Sequence, residues 1–406
     1  MRFIWHSYRM ERRISPLRDF LARESASGIL LMIAAAMGLL AANLPSSQAY
    51  FDLLGIAFTI DFLGIYIELT VLKVINYGLM TIFFFVVGLE IKREITSGHL
   101  SKLRQAAAPF FAAVGGMAVP ALIYLAIAGD VAHHGWAIPV ATDIALAVGV
   151  LSMMGSRVSQ GMKAFLLALA VIDDIGAILI IAIFYSAGII FSWLMGAVLA
   201  VIGVLLLQRL GVMNKFAYFV VGLLLWYALY KAGLHPTLAG VVMGLLAPAT
   251  PLKNQRIQDV EDGEVTIVEE LEEQYHSLSS LVVIPIFAFA NSGVVLSANA
   301  VNAAISSPIA WGIVLGLAAG KPLGIFLSSR FVEKIKVAEL PIGSTNKSLI
   351  ATGGTAGIGF TVAIFISKLA FNDVPTQDLA VTAVIVGSIL SGLLSVILFR
   401  LGSKNS

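Results

Sequence analysis

Residues 164–185 read AFLLALAVIDDIGAILIIAIFY, and this stretch decides the fold class of the chain. Apart from Asp173 and Asp174 it holds no charged residue, and as an α-helix it would be about 33 Å long. That length is enough to cross the roughly 30 Å hydrocarbon core of a bilayer. A charge at that depth costs roughly 3 kcal/mol, so a retained pair of carboxylates indicates a function. The stretch predicts a membrane-spanning helix with two adjacent carboxylates near its middle.

The composition extends this prediction to the rest of the chain. Of the 406 residues, 59% are hydrophobic and 12% are charged, whereas soluble globular domains carry roughly 25% charged residues. We therefore expect an all-α membrane protein with most of its surface in contact with lipid. The lack of cysteine excludes disulfides, thiolate metal sites and cysteine nucleophiles. The net charge of +2 gives no indication of a nucleic-acid partner, and none is expected.

Apolar segments of spanning length recur along the chain and predict about 12 transmembrane helices. They centre near residues 36, 80, 117, 143, 173, 198, 223, 241, 287, 317, 358 and 388. We expect one integral-membrane domain over residues 27–400, with an N-terminal tail at 1–26 and a C-terminal tail at 401–406. A long polar loop at about 249–276 is either a solvated connector or a regulatory segment.

Lysine and arginine are distributed very unevenly between the loops. Nearly all of them fall in alternate loops, namely the N-terminal tail, KREITSGHLSKLR, SRVSQGMK, QRLGVMNK, PLKNQR, SRFVEKIK and FRLGSKNS. The opposite loops hold little more than Lys73 and Lys231. Because Lys and Arg accumulate in cytoplasmic loops, both termini and the long polar loop are predicted to be cytoplasmic.

One external stretch is too polar to span the membrane. Residues 45–68 read SSQAYFDLLGIAFTIDFLGIYIEL and are rich in residues that favour strands. They predict either an external β-hairpin that pairs with a second copy of the chain or an external interfacial helix.

Segments 4 and 11 carry residues that interrupt a helix. Segment 4 reads GWAIPVATDIALAVGVLSMM, with Pro139 just before Asp143, and segment 11 reads SLIATGGTAGIGFTVAIFIS, with glycines crowded at its centre. Irregular backbone at membrane depth is tolerated only where protein or a water-filled cavity satisfies it. Being an odd number of crossings apart, the two segments run in opposite directions. They predict discontinuous helices 4 and 11 in an inverted-topology repeat, helices 3–5 against helices 10–12, with an ion site between them.

Charged side chains of three segments lie at one depth. Asp173 is about 15 Å along its helix from Lys163 at the predicted cytoplasmic end. Lys321 is about 14 Å from Arg330 by the same measure, and Asp143 occupies the middle of segment 4. A structural ion pair explains Asp173 with Lys321. This pair leaves the carboxylates of Asp143 and Asp174 without a positive partner.

The excess negative charge indicates a site for a cation or for protons. Desolvation and mutual repulsion make buried carboxylates easier to protonate, so a cation and protons can compete for them. Oxygen ligands suit Na+ or Li+, and the cluster has no Cys or His to favour a transition metal. We expect Na+, Li+ and H+ as transported partners, surrounding lipid, and no cofactor.

The two adjacent aspartates are expected to have different roles, because neighbouring helix residues project about 100° apart. Asp174 is predicted to ligate Na+, and Asp173 to exchange between Na+ and Lys321. Asp143, with Thr142, is predicted to balance the positive N-terminal ends of the half-helices. Lys321 is predicted to lie near their negative C-terminal ends.

Two other classes of membrane protein share the inverted repeat or the pair of membrane aspartates. A sodium-coupled symporter of similar fold would need a pocket for an organic substrate, and segments 4, 5 and 10 offer small aliphatic residues instead. An intramembrane aspartyl protease also uses two aspartates, but the buried Lys321 would hold one of them ionised. We therefore expect a transporter and not an enzyme.

Several motifs in order resemble the NhaA family of bacterial Na+/H+ antiporters. They are GLEIKRE (88–94), ATDIALA (141–147), VIDDIGAI (171–178), GLHPTLAGVV (233–242), PIFAFANSGV (285–294), GKPLGI (320–325) and GIGFT (357–361). The resemblance implies twelve helices, an inner-membrane location, homodimers joined by the external hairpin, and electrogenic exchange of two protons for one sodium ion. It also implies the same roles for Asp173, Asp174, Asp143 and Lys321 as the residues themselves suggest.

The resemblance further implies a pH-responsive cytoplasmic entrance. Glu90, Arg93 and Glu94 match it in GLEIKRE, and Glu272 and His276 match it before PIFAFANSGV. Family members often have an acidic residue where this chain has Tyr77, and a His-rich and basic segment where it reads IVEELEEQYHSLSS. His235, at the start of segment 8, is a further candidate for pH response or an ordinary helix-end residue.

Overall fold

The computed structural model describes residues 24–62, 65–101, 103–186, 188–212, 214–249 and 266–402. Most of the predicted tails and residues 250–265 of the predicted polar loop lie outside the described residues. The described part of the chain is mainly helical, which confirms the predicted all-α membrane fold.

The elements are numbered here in chain order. They are α1 (Glu24–Asn43), α2 (Ser47–Gly55), β1 (Ala57–Phe62), β2 (Ile65–Thr70), α3 (Val71–Thr96), α4 (Leu103–Ala132), α5 (Ile144–Met154), α6 (Gln160–Phe184), α7 (Phe191–Arg209), α8 (Lys215–Ala232), α9 (Leu238–Leu245), α10 (Ile267–Leu278), α11 (Ile284–Asn291), α12 (Ala298–Ser306), α13 (Pro308–Lys334), α14 (Asn346–Ala356), α15 (Phe360–Ala370) and α16 (Val374–Gly402). Helix α3 contains a π-helical turn at Val74–Leu79, α13 contains one at Gly316–Gly320, and a third, Ser279–Val283, joins α10 to α11.

Eight helices of the described residues are long and apolar enough to cross a membrane, or nine if the bent pair α14–α15 is one span. The shorter apolar helices α5, α9 and α11 fall below that length. The count of twelve therefore stays a prediction. Helices α6 and α13 are the most enclosed, with 61% of their apolar windows buried, against 17% for α7 and 22% for α8. The two helices that carry Asp173 and Lys321 thus lie inside the bundle.

Segments 4 and 11 are both interrupted, as predicted. Segment 4 begins as a 3₁₀-helix, His133–Val140, continues as extended backbone through Asp143, and resumes as α5. Segment 11 breaks between α14 and α15, which bend by 51°. The interrupted backbones meet, because the Asp143 N–H donates to Ile358 O at 2.7 Å.

Helices α4 and α13 pack closely because glycines face each other at their crossing. A Cβ on Gly324 of α13 would overlap the carbonyl of Gly115 on α4. Small residues allow such backbone contact between membrane helices. This crossing fixes α13 within one turn of Lys321.

The external stretch at 45–68 is part helix and part hairpin. Residues 47–55 form α2, where a Gln48–Asp52 side-chain bond of 2.8 Å and buried Tyr50 and Leu54 follow the helical spacing. Strands β1 and β2 pair antiparallel from Ala57↔Thr70 to Phe62↔Ile65. The predicted hairpin therefore exists but is displaced toward residue 70. The interfacial-helix alternative applies to the first part of the stretch.

Helix α10 occupies the last part of the predicted polar loop. Its N-terminus has a capping box, in which Thr266 Oγ1 accepts from the Glu269 N–H at 3.3 Å and Glu269 Oε2 accepts from the Thr266 N–H at 2.7 Å. A polar sequence with a strong N-terminal cap thus folds as a helix that packs on α3.

Candidate functional site

Lys321 is the most enclosed charge in the described residues, with a side chain that is 0% exposed. Its Nζ lies 2.8 Å from Asp173 Oδ2 and 2.5 Å from Thr142 Oγ1, and it also donates to Val140 O. An ammonium group has three donors, and here all three have an acceptor. The predicted pairing of Lys321 with Asp173 is therefore seen as a contact between the middles of α6 and α13.

Thr142 connects this ion pair to the break in segment 11. Its Oγ1 lies 2.7 Å from Asp173 Oδ2 and 2.8 Å from Ala356 O, the last carbonyl of α14. The 3₁₀-helix of segment 4 ends at Val140, whose carbonyl accepts from Lys321. The ammonium thus lies beside the C-terminal ends of both first half-helices, where the partial charge is negative.

Asp143 lies on the other side of the same two breaks, where the second half-helices begin. Its Oδ1 accepts from the Leu146 N–H at 3.0 Å in the first turn of α5. Its Oδ2 accepts from both the N–H and the hydroxyl of Thr361, at 3.0 and 2.5 Å, in the first turn of α15. One buried carboxylate therefore caps the N-termini of two helices that would otherwise face each other with unsatisfied donors.

Asp174 differs from both other carboxylates. It is 5% exposed, and its side chain makes no hydrogen bond or ion pair with any residue that the structure describes. The charges that act on it electrostatically are three carboxylates, of Glu90, Asp173 and Asp143, and the single ammonium of Lys321. A buried carboxylate in mainly negative surroundings, with no donor among the described residues, has the chemistry of a cation or proton site.

The chain is similar to known Na+/H+ antiporters over nearly its whole length. The family model for Na+/H+ antiporter 1 matches residues 18–399. A Na+/H+ antiporter NhaA from Shewanella sp. (strain MR-4) is 44% identical over 382 residues, covering 93% of this chain and 95% of the relative. A Na+/H+ antiporter NhaA 1 from Clostridium beijerinckii is 39% identical over 388 residues, covering 95% of each chain. This chain belongs to the NhaA antiporter family.

Family membership confirms the resemblance predicted from the motifs. It makes the protein a multi-pass membrane transporter rather than an enzyme, and it supports Na+/H+ exchange. The prediction of a transporter, in preference to an intramembrane aspartyl protease, is therefore confirmed.

The NhaA-type antiporter has a second charged cluster where α3 meets α10. Arg93 Nη1 lies 2.7 Å from Glu272 Oε1, and Arg93 Nη2 lies 3.7 Å from Glu94 Oε1. Glu90, on the same helix one turn earlier, interacts electrostatically with all three groups and with Asp174. Three of the predicted entrance residues, Arg93, Glu94 and Glu272, are thus in contact, and the charge of Glu90 acts on both this cluster and the buried site.

The other two predicted pH-responsive residues have different surroundings. His276 is exposed on α10. His235 is 8% exposed, its Nδ1 lies 2.6 Å from Thr237 Oγ1, and its ring lies edge-on to Tyr77 and Phe365, at 5.1 and 5.0 Å between ring centres. No described contact joins His235 to the Arg93 cluster.

Thr361 is a site residue that the sequence reasoning did not single out. It donates two hydrogen bonds to Asp143 from a position 218 residues away. The sequence does contain a signal for this contact, because Thr361 ends the motif GIGFT directly after the glycine-rich break. A hydroxyl residue in the first turn after a helix break is typical of a polar contact at the new N-terminus.

The stability of the antiporter is expected to depend on Glu272. Burial raises the pKa of Glu272, although Arg93 opposes the shift. The folded state therefore binds this proton more tightly than the unfolded state, so stability is lost as pH rises above the ordinary value of 4.5. Glu272→Gln should flatten the fall of Tm with pH in this range, measured by thermal unfolding in detergent. The control is Glu273→Gln, which changes an exposed neighbour; equal slopes in the two variants would contradict the assignment.

Proposed function

We propose that the protein exchanges cytoplasmic Na+ or Li+ for external H+ at Asp173 and Asp174. The observation that carries this proposal is the contrast between the three buried aspartates. Asp143 accepts hydrogen bonds from helix N-termini and Asp173 forms an ion pair with Lys321. Asp174, in contrast, has no hydrogen bond or ion pair to a described residue. In a membrane interior such a carboxylate is stable when it is protonated or when it binds a cation. Proton and Na+ therefore exclude each other at Asp174.

The neighbouring ion pair supplies a second proton in this proposal. Without Na+, Asp174 carries a proton and Asp173 is paired with Lys321. When Na+ binds, it takes the place of the ammonium beside Asp173, one proton leaves Asp174, and one leaves the Lys321 ammonium. One Na+ thus replaces two protons, which makes the exchange electrogenic. The 2.8 Å contact between Lys321 Nζ and Asp173 Oδ2 supports this coupling.

The interrupted helices provide a means of alternating access. Asp143 caps two half-helix N-termini, and Lys321 with Thr142 lies at two half-helix C-termini. The backbone at the breaks is held by side chains rather than by a continuous helix. We propose that these half-helices move as a unit, so that Asp174 faces each side of the membrane in turn.

The location, the orientation of the termini and the oligomeric state are proposed from the sequence and the family. The family resemblance implies an inner-membrane location, and the distribution of Lys and Arg supports cytoplasmic termini. A homodimer formed through β1 and β2 is supported by the hairpin, because a two-stranded sheet leaves edges that can pair with a second copy.

The charge moved per cycle tests the proposed stoichiometry. Proteoliposomes containing the antiporter should acquire one net charge for each Na+ expelled, measured as a reversal potential at fixed Na+ and H+ gradients. Asp173→Asn removes the exchanging partner of Lys321, so the residual exchange through Asp174 should become electroneutral. Asp130→Asn, which changes an exposed aspartate, serves as the control. An unchanged reversal potential in Asp173→Asn would contradict the proposed second proton.

A further inference from the structure

Helix α13 changes its hydrogen-bond register directly before Lys321. After the π-helical turn Gly316–Gly320, the Lys321 N–H donates to Gly316 O, five residues back. In a regular α-helix it would donate to Leu317 O, four residues back. Such π-turns occur frequently at functional sites. A register change of one residue turns the following side chains by about 100°, so this turn decides where Lys321 points.

The next residue leaves the Leu317 carbonyl without a donor from its own helix. If the π register continued, the donor to Leu317 O would be the N–H of residue 322. That residue is Pro322, which has no N–H. Leu317 is 0% exposed, so lipid and water offer no replacement. A buried carbonyl without a donor is unfavourable, and it has to be satisfied from another element.

Helix α16 supplies a donor that Leu317 O shares with a second carbonyl, because one hydroxyl proton lies within reach of both. Ser391 is 0% exposed, and its Oγ lies 3.2 Å from Leu317 O and 2.8 Å from Gly354 O in the last turn of α14. A Cβ on Gly357, at the break of segment 11, would overlap both Ser391 Oγ and Leu317 O. One hydroxyl therefore joins the π-turn of α13 to the end of α14.

We propose that Ser391 is a positioning residue for Lys321, because its hydroxyl satisfies Leu317 O and so stabilises the π-turn that aims Lys321 at Asp173. Ser391 touches neither the ion nor the reacting groups in this proposal. Its role rests on the proposed function, in which the Lys321–Asp173 contact competes with Na+. The chemistry is a single neutral hydrogen bond, supplied by a helix outside the charged site.

Loss of the hydroxyl favours the regular α register, because the missing Pro322 N–H then leaves the carbonyl of half-buried Ala318 without a donor instead of that of fully buried Leu317. The Lys321 N–H would then satisfy Leu317 O, and the side chain of Lys321 would turn away from Asp173. A carboxylate that loses its ammonium partner binds a proton more readily. Protons would therefore compete better with Na+ at the site.

A pair of variants of equal shape isolates the hydroxyl. Ser391→Thr keeps it and Ser391→Val replaces it with a methyl group, so any steric cost is common to both. Relative to Thr, the Val variant should show an apparent KM for Na+ changed by about fivefold, because a proton replaces the Lys321 ammonium as the competitor of Na+ at Asp173. The pH at which its exchange is half-maximal should also become more alkaline.

Ser395→Ala is the control, because it removes a 2.6 Å hydrogen bond to Thr355 on the same face of α16. It should leave the pH profile unchanged.

A second readout does not depend on transport. The Tm difference between Ser391→Thr and Ser391→Val is measured with Lys321 and again with Lys321→Met. If Ser391 acts through Lys321, the difference should fall by at least half in the Met background. Equal KM and pH profiles for Thr and Val, or a Tm difference that is the same in both backgrounds, would overturn the proposal. Retained exchange in an Asp174 variant would instead refute the proposed function and leave this thermal comparison untouched.

Discussion

Asp174→Asn is expected to abolish Na+-driven proton movement. In everted vesicles with a preformed pH gradient, Na+ or Li+ should collapse the gradient for the unmodified protein and leave it unchanged for the variant. Asparagine can neither release a proton nor offer a charged ligand. A contact to a charged group is worth roughly 3 kcal/mol, so exchange should fall about a hundredfold or more.

The same variant should be more stable than the unmodified protein. Asp174 has no hydrogen bond or ion pair to a described residue, and three carboxylates act on it. Removing its charge relieves desolvation and repulsion, so Tm measured in Na+-free detergent at alkaline pH should rise. Loss of activity with gain of stability is the signature of a ligand kept for function.

Two control variants complete this experiment. Asp130→Asn makes the same chemical change at an exposed position and should alter neither exchange nor Tm. Asp174→Glu keeps the charge on a longer side chain and should retain part of the exchange. Undiminished exchange in Asp174→Asn would refute the proposed site, and a lowered Tm would show that the carboxylate has a structural partner.

Local sequence predicted those parts of the site that depend on one helix at a time. The depth of Asp173 and Lys321 follows from their distances to Lys163 and Arg330, so their meeting could be expected. The interruptions of segments 4 and 11 follow from proline and crowded glycines. The structure places all of these within one cluster. Periodicity and depth are short-range properties, and a sequence reports them directly.

Contacts between distant elements were harder to predict. The hydroxyl of Thr361 reaches Asp143, and the hydroxyl of Ser391 reaches Leu317 O, only because helices cross at particular angles. Serine and threonine are common in membrane helices, so their presence does not identify a partner. For a related reason the sequence did not decide between a hairpin and an interfacial helix for the stretch that contains α2. The burial of α2 against α11 through Tyr50 outweighs the strand preference of the stretch.

Lys321→Met is expected to destabilise the folded protein by about 3–5 kcal/mol, the usual cost of breaking a buried ion pair from one side. The substitution leaves Asp173 charged and enclosed, with Thr142 as its remaining hydrogen-bond donor. It also removes the donor to Val140 O at the end of a half-helix. Thermal unfolding in detergent should show the loss as a lower Tm.

The double variant Asp173→Asn/Lys321→Met separates the ion pair from its surroundings. Replacing both charges by neutral groups of similar size removes the uncompensated carboxylate, so most of the lost stability should return. The coupling between the two substitutions should therefore be of the same order as the cost of Lys321→Met alone. If the double variant is as unstable as Lys321→Met, the cost lies at Val140 O and Thr142 rather than in the pair. In that case Lys321 holds the half-helices together, and its contact with Asp173 cannot be the element that Na+ displaces. Full recovery of stability without exchange would show that the pair is retained for transport and not for folding.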